Sequence, residues 1–135
     1  MKAADSIPLN DTNYPSGSGY ETYTDTPAGP DAKYVTVKAH IINNTNKSLD
    51  LTCSLPIKTL LIDDTQQQFD PLPDLDKIQG NPDCNAPLQP GFESDMTWAY
   101  RVPADTHVTR WAFEDLTDVQ GANQYTGVRI QVPGA

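Results

Sequence analysis

"KYVTVKAHIINN", residues 33–44, decides the fold. Val35, Val37, Ala39 and Ile41 alternate with Thr36, Lys38 and His40. Side chains along a strand point to opposite faces with a period of two, so this stretch is a half-buried strand and not a helix. "NNTNKS" after it is a turn. The same alternation returns in "ESDMTWAYRV", residues 93–102, which sets Met96, Trp98, Tyr100 and Val102 on one face and Thr97, Ala99 and Arg101 on the other. "HVTRWAFEDL" reads as a further strand with Trp111 and Phe113 inward, and "YTGVRIQV" closes the pattern with Val128, Ile130 and Val132.

Between these lie shorter pieces. "LDLTCSL" and "IKTLLIDD" read as strands separated by Pro56, and "DDTQQQF" reads as a hairpin tip returning through Phe69. Proline cannot donate to a ladder, so Pro56 marks a break or an edge. Residues 70–92 form a long irregular connection in which "DLDKIQ" has room for one helical turn. Its end, "QPGF", places proline and glycine where a type II turn wants them. A connection of this length calls for a function or a staple. No amphipathic helix or internal repeat interrupts the series. Six or seven short strands separated by turn signals predict an all-β chain folded as an antiparallel sandwich.

Residues 1–31 differ from the rest. "NDTNYPSGSGYETYTDTPAGPD" is rich in small and polar residues and poor in aliphatics. Such a segment offers little surface to offset its ordering entropy. It is read as a flexible tether, with an edge strand at 20–26, ahead of a domain spanning 32–135.

The chain has 135 residues, enough for one domain with its own core. Its net charge is −9. Acidity argues against nucleic acid and against an anionic membrane surface, both of which select clustered Lys and Arg. No apolar run reaches the roughly 20 residues of a membrane span. "MKAADSIPLN" has no apolar core of a secretory signal, so Met1 and Lys2 read as an introduced start, with any leader or lipid anchor belonging to a longer precursor.

Two cysteines, Cys53 and Cys84, lie among polar turn-formers without a Cys-x-x-Cys spacing. In an oxidising compartment they would form one disulfide, contributing about 3–4 kcal/mol in the chain-entropy model. In a cytosolic protein they would be two free thiols. With two isolated histidines they make no recognisable zinc spacing.

The strand order and its punctuation resemble a known family. "YVTVKAHIINNTNKSLDL", then "LLIDDTQQQFDP", then "LQPGF", then "MTWAYRVPAD" and a closing aromatic strand are similar to the bacterial extracellular immunoglobulin-like domains of unknown function, a family sometimes labelled telomeric-repeat-binding-factor-2-like. The likeness covers residues 33–132. It implies an immunoglobulin-like antiparallel β-sandwich of about seven strands outside the cytoplasm, in a secreted protein or lipoprotein, with no enzyme activity and no shared functional residues to transfer. The cysteine pair and the 70–92 connection set this chain apart from simpler members and look like the actinobacterial secreted variety, a setting that suits a Cys53–Cys84 disulfide. The telomere label sits badly with an acidic chain.

The chemistry-bearing residues then divide. No serine lies in Gly-x-Ser-x-Gly. His40 and His107 fall on polar strand faces with no carboxylate paired to them in sequence, so a catalytic triad is not read here. Carboxylate pairs such as Asp74 with Asp76, or Glu114 and Asp115 with Asp118, would serve a glycosidase only at a set separation across a cleft. Calcium is the sharper alternative, because Asp63, Asp64, Asp70, Asp74, Asp76 and Asp83 all fall in or beside loops. No EF-hand spacing orders them. Trp98, Tyr100, Trp111 and Phe113 read as core, whereas Tyr14, Tyr20, Tyr23 and Tyr125 stand outside that set and are free to be exposed. Three glycosylation sequons begin at Asn10, Asn43 and Asn46. The functional expectation is a non-enzymatic binding module at the bacterial cell envelope, without cofactor, taking a protein or glycan partner. A calcium-dependent adhesion or structural module is the alternative, and a hydrolase the third reading.

Overall fold

The computed structural model describes residues 1–15, 17–53, 57–84, 86–115 and 128–131. It is an antiparallel β-sandwich. The first sheet is built on β4 (Ala32–Asn43), which pairs along its whole length with β7 (Glu93–Pro103). The opposite edge of β4 is shared by β1 (Lys2–Ala4), against Tyr34–Thr36, and by β9 (Val128–Gln131), against His40–Asn43. The second sheet runs β6 (Gln68–Phe69), β5 (Ile57–Asp63), β8 (Val108–Asp115). A separate hairpin joins β2 (Ser6–Asn10) to β3 (Tyr23–Pro27).

The period-two reading of β4 and β7 holds. Register places Val35 opposite Tyr100, Val37 opposite Trp98 and Ala39 opposite Met96. All six are buried, as are Ile41 and Val102. Directly opposite residues on one face of an antiparallel pair lie close enough to pack. The second sheet answers with Ile57, Thr59 and Leu61. Trp98 meets Trp111 across the sandwich at 5.4 Å between ring centroids. The polar lock of the two sheets is Tyr100: its hydroxyl donates to Thr59 Oγ1 at 2.6 Å and accepts from Trp111 Nε1–H at 2.7 Å. Burial pushes this phenol up to about 12, against the lowering effect of those hydrogen bonds, so it stays a neutral donor.

Several expectations need correction. Residues 1–31 are not a tether. β1 extends the first sheet, and Ile7 and Ala28 are buried in the core. The aliphatic content that looked too low is enough, because the hairpin borrows a core built by β4 and β7 and needs none of its own. The strand expected at 20–26 is β3, displaced to Tyr23–Pro27. Within the expected strand "LDLTCSL", Leu49 forms a single bridge to Leu88 and residues 51–53 form a turn, while Ser54, Leu55 and the Pro56 break lie outside the described residues. Asp50 fixes that turn by accepting from the Thr52 and Cys53 N–H groups. Phe113 shares the inward face of β8 with Trp111 and stacks on it, but it is 49% exposed, so only Trp111 packs against the core. Asp118, Tyr125 and Val132 lie outside the described residues.

The hairpin tip, the single turn of 3-10 helix (Leu75–Lys77) and the turn before β7 follow the sequence. Leu61 pairs with Phe69 and Ile62 with Gln68. Gly91 has φ of 81°, and the Phe92 N–H donates to the Gln89 carbonyl, which is the type II geometry expected of "QPGF".

Candidate functional site

Three strands end in the same way. Asn10 closes β2, Asn43 closes β4 and Asp63 closes β5; each is buried and each is followed two residues on by threonine. In every case the side-chain oxygen accepts from both the N–H and the hydroxyl of that threonine. Local bonding of this kind competes with the ladder and turns the chain out of the sheet. The amides go further: Asn43 Nδ2 donates to the Lys47 and Leu88 carbonyls, and Asn10 Nδ2 to the Tyr14 carbonyl. Two of the three sequons are therefore structural corners whose buried amides are engaged in the fold, while Asn46 of the third is exposed.

Asp63 has the same occupation. It accepts from Thr65 N–H, Thr65 Oγ1 and Gln67 N–H. Burial works to raise its carboxyl, but these donors outweigh burial and hold it below the usual 3.8. A carboxylate so committed offers little to a cation. Of the other calcium candidates, Asp64 follows it directly in the exposed turn, and among the described residues no three of these carboxylates have oxygens within 4.8 Å of one another. Asp70 lies beyond β6, Asp74 precedes the 3-10 turn and Asp76 sits within it. Among the described residues, the one trio of His, Cys, Asp or Glu with ligand atoms within 4.8 Å of each other is Cys53, Asp76 and Cys84. There the cysteines are joined as the expected disulfide, with Cα atoms 5.3 Å apart. A disulfide sulfur is not the thiolate that metals take.

His40 carries a feature that sequence reading missed. Antiparallel register sets it opposite Asp95, and Glu93 lies two pairs along on the same face. Its Nδ1 lies 2.9 Å from Asp95 Oδ1 and its Nε2 3.0 Å from Glu93 Oε1. Asp95 first and Glu93 second hold the imidazole above its ordinary 6.5, and His40 in turn lowers Asp95. Both ring nitrogens are engaged, so none is left to take a proton from a nucleophile. The cross-strand register was the signal that would have found this cluster.

Two clefts remain. The first, about 360 Å³, opens where the chain leaves β6 and crosses from the second sheet to the first. Its walls are Ile57 and Thr59 on one side and Pro71, Leu72, Pro73 and Leu75 on the other, with Trp98 also contributing; Lys58 and Asp70 carry its charges. The reason it exists is register. β6 pairs only with Leu61 and Ile62, and then the Leu72 N–H donates to Ala99 of β7 at 2.7 Å. The connection thus diverges from the first half of β5 and leaves an apolar wedge. The second cleft, about 290 Å³, is polar and lies between the tip of the β2–β3 hairpin and residues 76–83.

The connection that forms one wall of each cleft is firmly held. Asn81 is buried, and its amide imitates a strand: Nδ2 donates to the Leu75 and Thr97 carbonyls, and Oδ1 accepts from the Thr97 N–H. It thereby covers the free edge of β7, which unpaired would invite aggregation.

Comparison with known proteins agrees with this architecture. No protein-family profile matches the chain, and no curated protein matches it. Among solved structures, it is similar to an uncharacterised β-sandwich protein from Clostridium difficile 630, at 14% sequence identity and a TM-score of 0.53, over 84% of this chain and 73% of the other. At that identity the likeness is one of fold: the chain is a β-sandwich.

Proposed function

We propose that this chain is a non-enzymatic binding module working outside the cytoplasm at the bacterial cell envelope, and that it seats an apolar side chain of a protein partner in the cleft beside Trp98. The observation that carries the reading is that cleft: an open, largely apolar concavity with a few polar groups at hand, the usual form of a binding site. Anchor side chains buried in such pockets dominate the energetics of protein interfaces. The Cys53–Cys84 disulfide suits an oxidising compartment, and the resemblance to extracellular immunoglobulin-like domains points the same way. Among the described residues no helix is long and apolar enough to cross a membrane.

The test is Pro73→Glu, which sets a charge on an exposed residue of the cleft wall. The oxidised domain and this variant would be immobilised and exposed to envelope extract, and any retained protein purified and titrated against both. A partner that binds the variant about tenfold or more weakly supports the reading, since one desolvated anchor is commonly worth more than 1.4 kcal/mol. Equal binding by both removes the cleft from the account.

A further inference from the structure

The second cleft has a different chemistry. One wall is the tip of the β2–β3 hairpin, the other the 3-10 turn and the chain that follows it. Tyr14 and Tyr20 bracket the tip and are 54% and 72% exposed, with ring centroids 5.5 Å apart. Large rings left on a protein surface forgo the free energy gained by removing apolar area from water, so an exposed pair held in contact calls for explanation. The tip is built to hold them. Asn10 and Thr12 fix the chain entering it, the Asp11 carboxylate accepts from Thr22 and Thr24 across the hairpin, and Glu21 accepts from Ser18 N–H and Oγ. Gly17 and Gly19, at φ of 87° and 88°, take the left-handed conformations that fold the tip back.

Facing Tyr14 across the cleft are Asp76, Lys77 and Asp83, with Asn13 beside the ring. The side chains of Asn13, Lys77 and Asp83 have no hydrogen-bond or ion-pair partner among the described residues. The two walls are fixed to each other: Leu9 of β2 bridges Ile78, and the disulfide at Cys84 directly follows Asp83 and lies beside the Asp76 carboxylate. A preorganised cleft loses little conformational entropy when it is filled.

We propose that this cleft is a saccharide-binding site, in which Tyr14, with the Tyr20 ring packed on it outside the cleft lining, receives the C–H face of a sugar ring while Asn13, Lys77 and Asp83 bond its hydroxyls. A sugar is the ligand that uses both halves of this surface. Its hydroxyls donate and accept, matching an amide, an ammonium and a carboxylate together, and its ring face is apolar. A free phosphate is disfavoured by two carboxylates against one lysine. The site is independent of the apolar cleft and would stand if that reading failed.

The experiment uses the oxidised chain on an array of neutral, amino and acidic oligosaccharides, with Tyr14→Ala/Tyr20→Ala and Lys77→Ala/Asp83→Asn as comparison variants. Saturation-transfer NMR would follow on any sugar retained. The expected result is a neutral or amino sugar bound by the wild type, about tenfold more weakly by each double variant, and unchanged by Pro73→Glu; a lost contact of about 1.4 kcal/mol gives that factor. Both tyrosines are exposed, so the variant should keep the wild-type melting curve and its failure to bind would not reflect unfolding. Absence of any retained neutral or amino sugar, or retention equal to wild type in the tyrosine variant, overturns the assignment.

Discussion

The β4–β7 ladder and the 70–92 connection are buried by opposite means. In the ladder, alternation does the work: every second residue from Val35 to Ile41 and from Met96 to Val102 enters the core, and the backbone satisfies itself through the paired strand. The connection has almost no regular structure, yet Leu75, Ile78 and Asn81 are as deeply buried as the strands. Its backbone is satisfied piecemeal, by the Asn81 amide, by Leu72 donating to Ala99 and by Leu88 exchanging bonds with Leu49. The lesson is that an irregular segment can be core when single polar side chains replace a strand's hydrogen bonds.

This contrast can be broken experimentally. The largest effect belongs to the ladder: Trp98→Ala should cost about 3–5 kcal/mol in urea unfolding, the range for deleting a buried aromatic ring. A loss below about 1 kcal/mol would mean that the sheets meet without it. In the connection, Cys84→Ser should cost about 2–4 kcal/mol by freeing the unfolded chain, and an unchanged melt would show that the staple is idle. Asn81→Leu keeps size but strands three backbone groups, so a loss of about 2–3 kcal/mol is expected; a mere loop residue would cost under about 0.5 kcal/mol.

The smallest effect sharpens the picture at the sheet's outer face. His40 is raised in the folded protein, so its contribution is fully present below 6.5 and is lost as pH rises through the higher folded value. His40→Gln should therefore flatten the fall in melting temperature on going from the acid to the alkaline side of that point. On the acid side, Asp11, Asp63 and Asp95 are all lowered from 3.8, so stability should fall only as pH drops below it. A wild type whose melting temperature rises with pH through neutrality would contradict the His40 pairing.

Legibility in the sequence followed the reach of each signal. Period-two alternation is local, and it revealed β4, β7 and the buried faces of both. Turn chemistry is local too, and "DDTQQQF" and "QPGF" formed as read. The first hairpin was misread because its poor composition was judged alone, whereas Ile7 and Ala28 need only fit a surface made by other strands. His40 looked isolated because its partners lie more than fifty residues away and meet it only through register. Asn10 and Asn43 looked like glycan acceptors because the sequon and the buried corner share one pattern, Asn-x-Thr, and only burial separates them.

The sequence by itself therefore determined an all-β antiparallel chain, its two long inward faces and its net charge of −9. Tertiary structure alone decided the rest. It brought Cys53 to Cys84, set Asn81 on the edge of β7, and opened two clefts where the connection parts from β5 and meets the hairpin. Burial patterns are written every second residue and can be read in one dimension. Concavities and paired charges arise between segments distant in the chain, and their positions exist only after the sheets have packed.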